Sequence, residues 1–144
     1  MEDVMKITEV LGGPRILGRG IDSPAALDKL VRAGLPYGAV DAVLKQVAVS
    51  IAELVALLAS SQRTIARRKA EKKLSAAESD RLARLARIFA LAEDVFEDKE
   101  KARRWIHKPN RVLGGRTPLQ AIETDIGTIE VVRILGRIEF GVYS

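Results

Sequence analysis

Between Ser50 and Lys73 the chain sets polar and basic side chains where they suit contact with a duplex. Ser61, Gln62, Arg63, Arg67, Arg68 and Lys69 put donors on the opening turns and along one helix. Gln bonds adenine and Arg bonds guanine in bidentate fashion, while a hydroxyl at a helix N-terminus suits a phosphate oxygen. This chemistry is recognition rather than catalysis. The chain has no Cys and a single His, His107, whose nearest carboxylates in sequence are Glu97, Asp98 and Glu100. That removes disulfides, thiolate ligands and most zinc and triad chemistries. No nucleophile stands beside a base, so neither an enzyme nor a metal or cofactor site is expected. The Gly114-Gly115 pair lacks the preceding strand and the Lys-Ser/Thr of a phosphate-binding loop. It is expected to shape a turn that needs positive φ.

The basic residues need a scaffold, and local signals supply one. Ser50 with Glu53 forms a capping box that starts a helix at Ile51, with Leu54, Leu57 and Leu58 as its apolar stripe. The helix stops near Ala59-Ser60-Ser61, and a second helix capped by Ser61 turns Ile65 inward. Two short helices at this spacing form a helix-turn-helix. Val55 stands where a small Ala is expected and Ala59 where Gly is expected, the latter costing on the order of 1 kcal/mol in a left-handed turn. Lys72 and Lys73 extend the basic run. Charge follows the same division: residues 1–74 carry 12 Lys/Arg against 8 Asp/Glu, and residues 75–144 carry 12 against 11. The first half is the candidate polyanion binder.

Residues 1–22 hold Gly12-Gly13-Pro14 and Gly18-Arg19-Gly20 and are expected to form a partly ordered arm. Ser23-Pro24 opens a helix that Gly34 ends, and Leu35-Pro36 opens the next, with Val40, Val43, Leu44 and Val47 as its stripe. A domain of residues 23–74 follows from this reading. Ser75 and Glu78 form another capping box and begin a long helix to about Glu97, the stiff joint to a second domain of residues 75–144. Asp98 caps a helix to Ile106, Thr117-Pro118 with Gln120 opens another, and a last helix runs from about Asp125 to Phe140. No long stretch alternates with period two, so the fold class is all-α. An acidic opening predicts no signal peptide, and no apolar stretch approaches membrane length. A cytoplasmic address is expected.

The last helix separates two apolar surfaces at 100° per residue. Val131, Val132, Ile134, Leu135 and Ile138 make a broad core face, with Glu130, Arg133 and Arg137 opposite. Ile129, Gly136 and Phe140 form a narrower strip that one core does not need. Gly inside a helix costs roughly 1 kcal/mol relative to Ala, so Gly136 is expected at a close approach to another chain. That contact is expected to continue into Val142, Tyr143 and Ser144.

The C-terminal string carries Trp105, Pro109-Asn110, Leu113-Gly114-Gly115-Arg116-Thr117-Pro118-Leu119 and Arg137-Ile138-Glu139-Phe140-Gly141. It resembles the toxin-binding domain of the Xre/MbcA/ParS family of bacterial antitoxins, and the similarity extends back to about Gly12. The resemblance implies an N-terminal Xre-like helix-turn-helix domain that binds operator DNA and represses its own operon. It also implies a C-terminal toxin-binding domain that obstructs the NAD cleft of a RES-domain toxin, one that consumes NAD or transfers its ADP-ribose. Self-association into a dimer, and into a higher hetero-oligomer with the toxin, goes with it. A stand-alone helix-turn-helix regulator whose C-terminal half only dimerises is the alternative.

Overall fold

The computed structural model describes residues 3–141. Its α-helices are α1 (Val4–Val10), α2 (Pro14–Leu17), α3 (Pro24–Ala33), α4 (Gly38–Val47), α5 (Ile51–Leu57), α6 (Gln62–Glu71), α7 (Ala76–Phe96), α8 (Lys99–Ile106), α9 (Pro118–Ala121) and α10 (Asp125–Glu139). A single 3-10 turn, Arg111–Leu113, lies between α8 and α9. Among the described residues there is no strand, and the only bridge pairs Pro36 with Lys73. The fold is all-α, with the long helix running from the helix-turn-helix into the C-terminal part.

Local chemistry starts most of these helices. Full capping boxes stand at Ser50/Glu53, Ser75/Glu78 and Thr117/Gln120, each satisfying two N–H groups that a helix start would otherwise leave orphaned. Ser23, Ser61, Asp98 and Thr124 cap four more with one side-chain oxygen each. Helix α7 is the spine. Its Leu82, Leu85, Ala86, Ile88, Phe89 and Ala92 are buried, and α1, α3, α4, α8 and α10 all pack on it. Burying a side chain the size of Leu85 or Phe89 contributes roughly 1.5–3 kcal/mol, so α7 collects much of the core.

Two expectations need correction. Where a partly ordered arm was expected over residues 1–22, the chain builds α1 and α2 and lays Ile7, Val10, Leu11 and Leu17 into the core. Lys6 on α1 also pairs with Asp94 on α7. The glycines that argue against one continuous helix instead make the tight turn that folds α2 back against α1 and α4, Gly12 and Gly13 both taking positive φ. The second correction concerns Leu35-Pro36, which does not open α4. This pair lies alongside the end of α6: Tyr37 N–H donates to the Lys72 carbonyl at 3.1 Å, and Leu74 N–H to the Leu35 carbonyl at 2.9 Å. Helix α4 therefore starts at Gly38.

Helix α10 has a tight entry. A Cβ on Gly127 would stand 1.8 Å from the Ala121 carbonyl oxygen, so α9 and α10 meet backbone to side-chain-free backbone. Overpacking of this kind costs about 1–3 kcal/mol or more, because the obstacle is main chain and cannot rotate away. Gly127→Ala is therefore expected to lower the thermal midpoint clearly, and an unchanged melting curve would show that α9 moves freely.

Candidate functional site

The helix-turn-helix forms as its spacing predicts. Helix α5 ends with Leu54 and Leu57 buried, Ala59 turns through φ 51°, and α6 begins at Gln62 with Ile65 buried beneath it. The turn stays closed without glycine: Ala59 N–H donates to Ala56 and Ser60 N–H to Val55, both at 3.1 Å. Gln62, Arg63, Arg67 and Lys69 are exposed on α6. Ser61 holds the helix end itself, its Oγ accepting from Thr64 N–H at 3.1 Å and bonding the Thr64 hydroxyl at 3.0 Å.

Arg68 faces elsewhere. Its Nε donates to Glu78 at 2.7 Å and its Nη1 to Glu71 at 3.0 Å, which holds the guanidinium above its ordinary value. Glu78 is buried and also accepts from Ser75 N–H at 2.8 Å. Burial alone would raise its pKa; the bonds from Ser75 and Arg68 outweigh it and hold the carboxyl below the usual glutamate range. One carboxylate thus caps α7 and clamps α6 to it. Sequence spacing did not reveal this, because the contact spans ten residues and two helices.

Further along the spine, Arg84 donates to the Ile122 carbonyl at 3.0 Å and to Asp125, the first residue of α10, at 2.7 Å. Along α10 the core face is as expected, with Val131, Ile134 and Leu135 buried. The second strip is open: Ile129 is 48 % and Phe140 79 % exposed, and nothing lies within 4 Å of a Cβ built on Gly136. Ile126, 70 % exposed, extends the strip by one more turn, a member that the spacing offered and the sequence reading passed over. Phe140 does not fold back on Trp105, whose ring instead leans on Phe96 at 5.8 Å. Val142, Tyr143 and Ser144 lie outside the described residues. Gly114 and Gly115 take φ 69° and 86°, as a turn-shaping pair should. The described residues contain no His, Cys, Asp and Glu group able to hold a metal, and no helix long and apolar enough to cross a membrane.

Comparison with known proteins matches both halves. Residues 26–87 fit the antitoxin Xre-like helix-turn-helix domain, and residues 91–141 fit the antitoxin Xre/MbcA/ParS C-terminal toxin-binding domain. Antitoxin Xre of Photorhabdus laumondii is 33 % identical over 132 residues, covering 90 % of this chain and 89 % of that protein. Antitoxin Xre of Yersinia enterocolitica is 32 % identical over 136 residues, covering 90 % and 92 %. Antitoxin Xre of Pseudomonas putida is 46 % identical over a shorter span of 68 residues, 47 % of this chain and 43 % of that protein.

The clamp has a pH signature with a definite sign. Because the folded pKa of Glu78 lies below its unfolded value, its stabilisation is complete above the unfolded value and is lost as pH falls through the folded one. Wild type is expected to lose stability on acidification below the usual glutamate range, and Glu78→Gln to lose less over that window. Parallel urea titrations across pH check this; identical pH slopes would contradict it.

Proposed function

This chain belongs to the Xre antitoxin family, and from that premise we propose that it neutralises a RES-domain toxin and represses its own operon through α6. The toxin is one that consumes NAD or transfers its ADP-ribose, and the end of α10 with residues 142–144 obstructs its NAD cleft. That toxin and operator DNA are the partners, and the address of this chain is cytoplasmic. The chain acts as a dimer, since a helix-turn-helix of this kind reads paired half-sites, and it joins the toxin in a larger hetero-oligomer.

The observation that carries the toxin reading is the exposed strip Ile126, Ile129, Gly136 and Phe140. Its apolar side chains leave the core unserved, and a helix-weakening glycine sits where a Cβ would meet no other element within 4 Å. Such a strip suits an intermolecular contact, with Gly136 admitting a backbone or ring. The DNA reading rests on Gln62, Arg63, Arg67 and Lys69, while Ser61 and Arg68 serve by holding the recognition helix in place.

Two outcomes test these readings separately. Phe140→Ala is expected to melt within about 0.5 kcal/mol of wild type, as exposed positions do, yet to weaken toxin capture by about 2 kcal/mol if it is a central contact. Co-expression with the adjacent reading frame and measurement of cellular NAD provide the readout; deletion of 142–144 is expected to release the toxin as well. Full neutralisation by both variants would refute the plug. For DNA, Arg63→Ala is expected to cost about 1–3 kcal/mol with relaxed sequence preference, and the double variant Arg63→Ala/Arg67→Ala is expected to lose operator binding while still neutralising toxin. Wild-type operator affinity in the double variant would reject α6 as the reader.

A further inference from the structure

Averaging charge over residues 75–144 conceals a concentrated segment. Residues 99–116 carry seven Lys/Arg against one Glu. In the fold this is α8, the turn at Pro109 and the 3-10 turn that follows. Two of its arginines are committed inside the molecule. Arg103 donates to the Gln46 carbonyl at 2.7 Å and to Glu100 at 3.1 Å. Arg116 donates to the Leu113 carbonyl at 2.9 Å and lies 3.9 Å from Glu130. By contrast, the side chains of Arg104, Lys108 and Arg111 are exposed and have no hydrogen-bond or ion-pair partner among the described residues.

What matters is where this segment is seated. The Arg103 bond fixes α8 to the end of α4. His107, which ends α8, donates from Nδ1 to the Arg103 carbonyl at 2.9 Å and brings Nε2 to 3.3 Å from Glu53. Glu53 is in the first turn of α5, the first helix of the helix-turn-helix. In the docking geometry of this motif the second helix enters the major groove while the first crosses the phosphate backbone. A backbone strand that crosses the start of α5 therefore continues onto the end of α8.

We propose that Arg104, Lys108 and Arg111 form a second contact with duplex DNA, gripping backbone phosphates that flank the bases read by α6. The proposal rests on the helix-turn-helix reading above. Phosphate contacts fix register and add affinity without reading sequence, which suits flexible cations on a turn. Flanking contacts of this kind add affinity to whatever the base contacts of α6 supply. The seat beside α5 selects DNA over an acidic protein surface.

The test is fluorescence anisotropy with a labelled duplex from the promoter of the chain's own gene, about three helical turns long, over a range of salt. The triple variant Arg104→Ala/Lys108→Ala/Arg111→Ala is compared with wild type and with Arg63→Ala/Arg67→Ala. The expected result is a salt slope shallower by about two to three in the triple variant, with unchanged preference for the promoter duplex over a scrambled one. On a shorter duplex that covers only the bases under α6 the difference is expected to vanish. If the triple variant melts early, the three single variants decide, each expected to lower the slope by about one. A wild-type slope in the triple variant, with binding lost in Arg63→Ala/Arg67→Ala, overturns the second contact and leaves the recognition helix standing. Wild-type binding by both overturns both. Loss of toxin capture with an unchanged DNA slope assigns the patch to an acidic protein partner and overturns the proposal.

Discussion

The carboxylate of Glu78 is the joint on which the two ends of the molecule depend. It closes the capping box that starts α7, and the same oxygen receives Nε of Arg68 from α6. A buried charge is costly unless its partners are in place, and here they are supplied by the backbone of one helix and the guanidinium of another. Helix α6 is therefore held by the spine as well as by its own turn. Beside it, the pairing of Leu35 with Leu74, and of Leu35 N–H with the buried Ser79 hydroxyl at 2.7 Å, ties the same junction to the loop between α3 and α4.

From that joint the spine carries geometry to the C-terminal half. Arg84 grips the start of α10, and Arg103 with His107 seats α8 against α4 and α5. The links through Arg84 and Arg103 pair a long cationic side chain with a fixed acceptor, so several of the chain's basic residues are structural. Among the exposed remainder are the cations of α6, those of the α8 turn, and Arg133 and Arg137 beside the apolar strip of α10.

Local signals were legible in the sequence. The three capping boxes, the cap at Ser61 and the two faces of α10 depend on residues three or four apart, and helix geometry makes those neighbours. Long-range choices were not legible. Glycines around α2 read as freedom until α1 and α4 are present to receive that helix and Leu11 and Leu17 are buried. Arg68 reads as one more DNA-facing cation until Glu78 stands opposite. Leu35-Pro36 reads as a helix start because its backbone partners, Lys72 to Leu74, come much later in the chain. The basic turn after α8 was visible in composition but diluted by the acidic residues of α7 and α10. The strip on α10 was found because Gly136 breaks a local rule, and its extension to Ile126 was missed because nothing there does.

Two surfaces on one spine, one for a duplex and one for a protein, make a spatial claim that amide chemical-shift mapping tests most directly. The isotope-labelled chain would be titrated with its own promoter duplex and, separately, with the protein encoded by the adjacent reading frame. The expected result is that duplex shifts gather over residues 61–69 and 104–111 while protein shifts gather over residues 126–141. Shifts from both ligands falling on the same residues would contradict it.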